Sequence, residues 1–401
     1  MQAFIARQPI FNTKAEVCAY ELLFRDGLRN AFPVGMDPDL ASSRVIADSL
    51  FLIGLEEMAV GKPAFINVTK DLLLADYVTM LPPDRVVIEV LETVEPTPDV
   101  IAACRRLKGG GYRIALDDFV YDPAYEPLLE LADVVKVDFR ATPPDELALL
   151  AQRAARHGAA TLAEKVETGA EFETAVAKGY TFFQGYFFSK PVVVAHNAVP
   201  EFKLHYLELL RELNRGELDL DRLDDLIKRE LSLSYKLLRY VNSPLFGLSN
   251  DVESIRHAMI VLGDRPLRRW ISFVAVSCMG EDKPQELMVM ALVRAKFCEE
   301  LAKSTGLGNR GEELFLMGMF SLLDAIIDRP LIELLDDLPI GDAIKSALCQ
   351  ERNRFRDILD LVIAYERGAW ADVERLSDGL TDDAPRAYVD AISWAHESFS
   401  D

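Results

Sequence analysis

The sequence predicts an N-terminal (β/α)8, TIM-like barrel followed by an all-helical domain, on three observations. Eight short apolar runs lie within the first 190 residues and alternate with stretches of helical apolar spacing. Nearly every run ends in a polar or charged residue. Beyond Lys190-Pro191 the strand-like runs stop and the pattern becomes helical. At 401 residues the chain exceeds what one hydrophobic core usually serves, so two domains are expected, divided as 1–192 and 193–401.

The runs are residues 4–10 (FIARQPI), 17–24 (VCAYELLF), 63–68 (PAFINV), 85–90 (RVVIEV), 112–118 (YRIALDD), 133–138 (DVVKVD), 160–166 (ATLAEKV) and 181–188 (TFFQGYFF). Strands of this length alternating with helices, such as the one expected from Pro98 to Leu107, argue for parallel βα units. Eight of them argue for a closed barrel. In the second half, amphipathic stretches run from Lys203 to Leu213, Leu223 to Asn242, Glu286 to Thr305 and Arg354 to Arg367. Turn signals at 242–244, 263–266, 306–311 and 329–330 separate them.

Composition excludes several function classes. The net charge is −21, and no Lys/Arg block offsets it, so nucleic acid and anionic membrane are not expected partners. No apolar run is long enough to span a membrane. No basic segment followed by an apolar stretch opens the chain, and the five cysteines lack metal-ligand spacing, so a cytoplasmic protein with reduced thiols is expected. An anionic ligand would need metal ions or a few placed basic groups.

The residues ending the runs are Glu21, Asn67, Glu89, Asp117, Lys136, Glu164 and Gln184. In a barrel, such positions converge on one mouth. A single polar residue there merely marks where a strand leaves the core. Carboxylates at four strand ends are different, because clustered like charges destabilise the fold without a cation. Oxygen-only ligands suit Mg²⁺ or Mn²⁺. The adjacent Asp117 and Asp118 could bridge two ions, and such a pair serves in-line displacement at a phosphodiester. Lys136 would hold a water or a phosphate oxygen. Glu164 would be a further ligand or a base behind the ligands. Gln184 would orient the attacking water or bond a ligand edge.

These motifs carry a family resemblance. Residues 8–25 (QPIFNTKAEVCAYELLFR) are similar to the opening of EAL domains, with Glu21 as the signature glutamate and Leu22 where the family name has alanine. INVTKDLL resembles the strand bearing the ligand asparagine, Asn67, and IEVLE the Glu-x-Thr-Glu segment, with Leu91 in the threonine's place. LDDF, VVKVD, AEKVET and FFQGYFFSKP match in order through residue 191. The resemblance implies a Mg²⁺- or Mn²⁺-dependent barrel that binds cyclic di-GMP and opens it to linear pGpG. It implies metal ligation by Glu21, Asn67, Glu89, Asp117 and Asp118. Catalytic roles would fall to Glu21, Lys136, Glu164, Asp118 and Gln184, and ligand contacts to Gln8, Arg25, Glu167 and Gln184.

Two departures bear on turnover rather than on binding. Active members carry a glycine-rich loop after the aspartate pair, whereas this chain reads DDFVYDPAYEP, and Lys165 stands where a glycine is expected. Family barrels pair through that loop, so a homodimer stays open.

Residues 231–270 resemble the signature of HDOD domains, through KLLRYVNS, Phe246-Gly247 and SIRHAMIVLG. Ser254 should cap a helix that turns Ile255, Ala258, Met259 and Leu262 inward and closes at Gly263. His257 on that helix is expected to be a partly buried packing residue. In the related HD hydrolases a His-Asp pair follows the step that here reads Gly318-Met319-Phe320; Ser321 and Leu322 stand there instead. The helical domain is therefore expected to be a non-catalytic output or docking module for an unidentified protein partner. The alternative is a silent scaffold acting only through protein contacts.

Overall fold

The computed structural model describes residues 3–26, 55–75, 77–189, 200–215, 217–246, 251–377 and 383–400. All eight apolar runs form strands: β1 Ala3–Phe11, β2 Val17–Asp26, β3 Ala64–Val68, β4 Val86–Val90, β5 Arg113–Leu116, β6 Val134–Asp138, β7 Ala160–Glu164 and β8 Phe182–Gln184. They close into one barrel in sequence order.

One expectation is corrected here. The barrel is not wholly parallel: β1 runs antiparallel to both β2 and β8, while β2 through β8 are mutually parallel. The reason lies in the short connection between β1 and β2. Parallel neighbours need a crossover of a dozen or more residues, whereas a tight turn can join only antiparallel ones. Asn12 organises that turn, its Oδ1 accepting from the backbone N–H groups of Lys14 at 2.8 Å and Glu16 at 3.0 Å.

The barrel interior is built in layers two residues deep, the period of the pleat. One buried layer consists of Ile10, Ala19, Phe65, Val87, Ala115, Val134 and Leu162, with Phe182 packed against it. Each of these lies two positions from a polar residue on the same strand face: Gln8, Glu21, Asn67, Glu89, Asp117, Lys136, Glu164 and Gln184. Alternation therefore raises those eight polar side chains as the next layer, at the C-terminal ends of the parallel strands.

Outside the barrel, helix Pro98–Gly109 starts with proline in its first turn, and helix Gly169–Ala177 is fixed by a capping box of Thr168 and Glu171.

Contacts divide the chain differently from the division at residue 192. One compact unit is residues 1–190 together with 360–401, and the other is residues 191–359. The β1–β2 hairpin has no crossover helix to cover it, and the C-terminal segment packs there. Phe4 meets Tyr365 and Trp370 with ring centroids 6.4 and 6.2 Å apart, and Tyr365 meets Tyr388 at 5.0 Å. Arg7 lies over the Tyr20 ring, donates to Met58 O at 2.8 Å and reaches His396 Nε2 at 2.9 Å.

The second unit is helical throughout its described residues. The stretch from Leu223 to Asn242 is two helices, Leu220–Lys228 and Leu231–Val241, because Glu230 adopts an extended backbone (φ −112°, ψ 107°) between them. Ser254 caps helix Ile255–Leu262 by accepting from His257 N–H, the four expected apolar residues are buried, and Gly263 closes it at φ 74°. His257 itself is exposed, which corrects its reading as a packing residue: it follows Ile255 by two positions and falls on the solvent face. Helix Gly311–Phe320 crosses helix Gln285–Ser304 at Gly318, where a Cβ would stand 2.6 Å from Arg294 O. Ser321 accepts from the buried Arg294 guanidinium at 2.9 Å and donates to Gly318 O at 2.7 Å.

Candidate functional site

The polar layer at the barrel mouth is organised around one ammonium group. Lys136, from β6, is 1% exposed and ion-pairs with Asp117 and Glu164 at 2.9 Å, with Glu21 at 3.3 Å, and with Glu89. Asn67 Nδ2 donates to Glu21 Oε1 at 3.0 Å. Gln184 Nε2 donates to Glu21 Oε2 at 2.6 Å and to Gln8 Oε1 at 2.9 Å. The structure thus brings Gln8, Glu21, Asn67, Glu89, Asp117, Lys136, Glu164 and Gln184 into one connected cluster.

The charge balance of this cluster is unfavourable as it stands. Four carboxylates face one ammonium, so four minus one leaves three negative charges uncompensated if all are ionised. The proton equilibria respond accordingly. Burial, reinforced by Glu21 and Asp117, pushes the Glu89 carboxyl well above its usual range despite Lys136. Burial pushes Glu164 up to about 8, with Lys136 opposing and Asp117 and Glu21 adding to the rise. Burial works to lower the Lys136 pKa, but the four carboxylates, led by Glu89, outweigh it and raise it well above that of an ordinary lysine.

The donor set fits a hard divalent cation. Five side-chain atoms at the mouth are buried without a hydrogen-bond partner: Asn67 Oδ1, Glu89 Oε2, Asp118 Oδ1, Glu164 Oε2 and Gln184 Oε1. All five are oxygens, acceptors that need either donors or a cation. Among the described residues no three His, Cys, Asp or Glu side chains are grouped as ligands of one ion. The carboxylates are instead drawn onto the Lys136 ammonium, the cation that the chain itself supplies.

The remaining expected site residues lie at the rim. Asp118 adopts a left-handed backbone (φ 38°), as does Lys165 (φ 57°). Such angles are strained for residues with a side chain. The conformation at 165 is one that glycine adopts freely, which accounts for the glycine expected there. Lys165 pairs with Asp138 at 2.5 Å and stands 3.7 Å from Asp118. Asp138 was not foreseen as part of the site, although it follows Lys136 by two positions and so shares its strand face. Burial works to raise its pKa, but the Lys165 ammonium and the N–H groups of Ala141 and Arg140 hold it below the usual carboxylate range. Glu167 pairs with Arg140 at 3.0 Å. Arg25 lies in β2 opposite Phe4, and its side chain lies outside the described residues.

The segment after the aspartate pair is a short capped turn. Asp122 accepts from Ala124 N–H at 2.7 Å, Pro123 opens a 3-10 turn, and Tyr121 lies under the Arg153 guanidinium at 3.3 Å. Just past the ends of β7 and β8 the chain packs so closely that a Cβ at Gly185 (φ 139°) would stand 2.1 Å from Val166 O.

Comparison with known proteins agrees with this architecture. The EAL domain model matches residues 38–191, and the HDOD domain model matches residues 199–327. The chain is 38% identical over 405 residues to the uncharacterized protein YuxH of Bacillus subtilis, covering 99% of this chain and 98% of that one. It is 38% identical over 399 residues to the cyclic di-GMP phosphodiesterase CdgJ of Vibrio cholerae, covering 98% of this chain and 92% of that one. Among solved structures, the Bacillus subtilis YkuI protein, which has an EAL domain and is in complex with cyclic di-GMP and calcium, is 19% identical, with a TM-score of 0.38 over 58% of this chain and 73% of that one. No helix among the described residues is long and apolar enough to cross a membrane. From end to end, then, this chain belongs to the family of EAL-domain proteins that also carry an HDOD domain.

Proposed function

We propose that the barrel mouth binds cyclic di-GMP through divalent cations, Mg²⁺ or Mn²⁺, and opens one phosphodiester to give linear pGpG. The ligands would be Glu21, Asn67, Glu89, Asp117 and Asp118. The observation that carries the reading is the ring of buried, unpartnered oxygens around an excess of carboxylates. Similarity along nearly the whole length of a cyclic di-GMP phosphodiesterase supports the substrate. Bound cations would neutralise the phosphate and lower the pKa of water.

The chain's own residues have separable tasks. Lys136 holds a phosphate oxygen or water as a point charge. Glu164, its carboxyl pushed up by burial, would accept a proton from that water. Gln184 offers its unpartnered Oε1 to a water or a ligand N–H while its Nε2 stays fixed on Glu21 and Gln8. The helical domain serves as a docking module for a protein partner.

A receptor that binds without turnover is a second reading, favoured by Lys165 standing beside Asp118. One assay separates the two. The full chain is incubated with cyclic di-GMP and Mn²⁺ and product is followed by chromatography, alongside a binding titration in Ca²⁺. Product supports the phosphodiesterase, uptake without product supports the receptor, and the absence of both contradicts each.

A further inference from the structure

The rim above the carboxylate ring is not made by the barrel alone. The turn that follows helix Arg354–Glu366 touches Gln8 of β1, Leu23 of β2 and Tyr186 beyond β8. Gln8 Nε2 donates to Arg367 O at 3.2 Å, and Gln8 is itself bonded to Gln184. The Arg367 guanidinium stands 5.2 Å from the centroid of Tyr186, two residues beyond Gln184. Gly368 packs against Leu23, two residues beyond Glu21, so closely that a Cβ would lie 2.6 Å from Leu23 Cδ1. By the period of the pleat, Leu23 lies one layer above Glu21 on the same strand face, and Tyr186 follows Gln184 by two residues just beyond the end of β8. Arg367 therefore belongs to the layer directly above the site. Arg367, Gly368 and the barrel all belong to one compact unit.

The cations at the mouth differ in what they face. Lys136 is engaged by four carboxylates, Lys165 by Asp138, and Arg140 by Glu167 and Glu171. The Arg367 side chain is exposed and, among the described residues, has an aromatic face but no carboxylate as its partner. In a protein of net charge −21, an arginine so placed is available to an anion that enters the mouth, and its planar fork suits phosphate oxygens.

We infer that Arg367, delivered by the C-terminal segment from beyond both matched domain regions, is a binding residue for a phosphate of the cyclic dinucleotide. The inference rests on the proposed reading of the mouth and adds to it a residue from outside the barrel sequence. It also gives the backbone bond from Gln8 a purpose, because that bond sets the height of the turn over the cluster.

The test is calorimetric titration of the full chain with cyclic di-GMP in Ca²⁺, using wild type, Arg367→Ala and Arg367→Lys, with Glu89→Gln as the variant of the ring. Loss of a charge-assisted contact should weaken uptake by Arg367→Ala about tenfold or more. Arg367→Lys should recover part of it, and the gap should narrow as salt screens the pair. Equal melting temperatures for wild type and both Arg367 variants would exclude a folding defect, and the lysine variant keeps the comparison if the alanine variant melts early. Affinity and salt response in Arg367→Ala matching wild type would overturn the inference while leaving the mouth intact. Absence of uptake by wild type itself would overturn the reading of the mouth, and Arg367 with it.

Discussion

Lys136 is buried among carboxylates that would repel one another without it, which gives its substitution a predictable sign. Removing one partner from a buried ionic cluster costs about 3–5 kcal/mol, so Lys136→Ala should lower the urea midpoint sharply in EDTA. Mn²⁺ should restore part of that loss, because the same oxygens then share a different cation. Glu89 behaves otherwise. Burial pushes its carboxyl pKa well above the ordinary range, so the uncharged isostere Glu89→Gln should cost much less metal-free stability than Lys136→Ala. It should nevertheless abolish the stabilisation that Mn²⁺ confers, since the amide is a poorer ligand. Lys165→Gly should relieve a left-handed backbone and remove the ammonium that faces Asp118. Tighter Mn²⁺ uptake, read by titration, is the expected result. At this scale most of the ring was legible in the sequence, because its members are polar residues set in or at the ends of apolar runs. Asp138 and Arg367 were not: the first looked like one more strand-end polar residue, and the second lies about 180 residues beyond the barrel strands.

The elements follow from pattern with two exceptions that physics explains. The period of the pleat in all eight strands builds both the apolar layer and the polar layer above it. Strand direction was not carried by the alternation, which reads the same either way along a strand; the short link between β1 and β2 carried it. Helix crossing is likewise invisible to periodicity. Gly318 sits where two helices meet with no room for a Cβ, so Gly318→Ala should destabilise the second unit by about 1–3 kcal/mol, measured by urea denaturation. On the first unit, burial, together with the charges of Arg7 and Lys62, pushes the His396 pKa down from 6.5 to about 4. Unfolded chains take up this proton near pH 6.5 and folded ones only near 4, so the histidine's contribution to stability is intact above about 6.5 and is lost as pH falls through that window. His396→Gln should flatten the difference in urea midpoints between pH 7 and pH 4.

On the scale of the whole molecule, the chain leaves the barrel at residue 190 and returns to it at residue 360. That return could not be read from sequence, because helices that cover a hairpin and helices that continue a helical domain have the same amphipathic pattern. It predicts that a chain ending at residue 359 exposes Phe4, Arg7 and the outer face of the β1–β2 hairpin. Such a truncated chain should melt well below the full one and aggregate, as followed by light scattering during a thermal ramp.

The central claim is that the mouth's carboxylates hold the dinucleotide by way of a divalent ion. Its most direct measurement is a titration of the full chain with cyclic di-GMP, performed once in Mn²⁺ and once in EDTA, on wild type and on Glu89→Gln. Saturable uptake by wild type in Mn²⁺ alone, lost in EDTA and in the variant, is the predicted result. Uptake of equal strength in EDTA, or none under either condition, would contradict it.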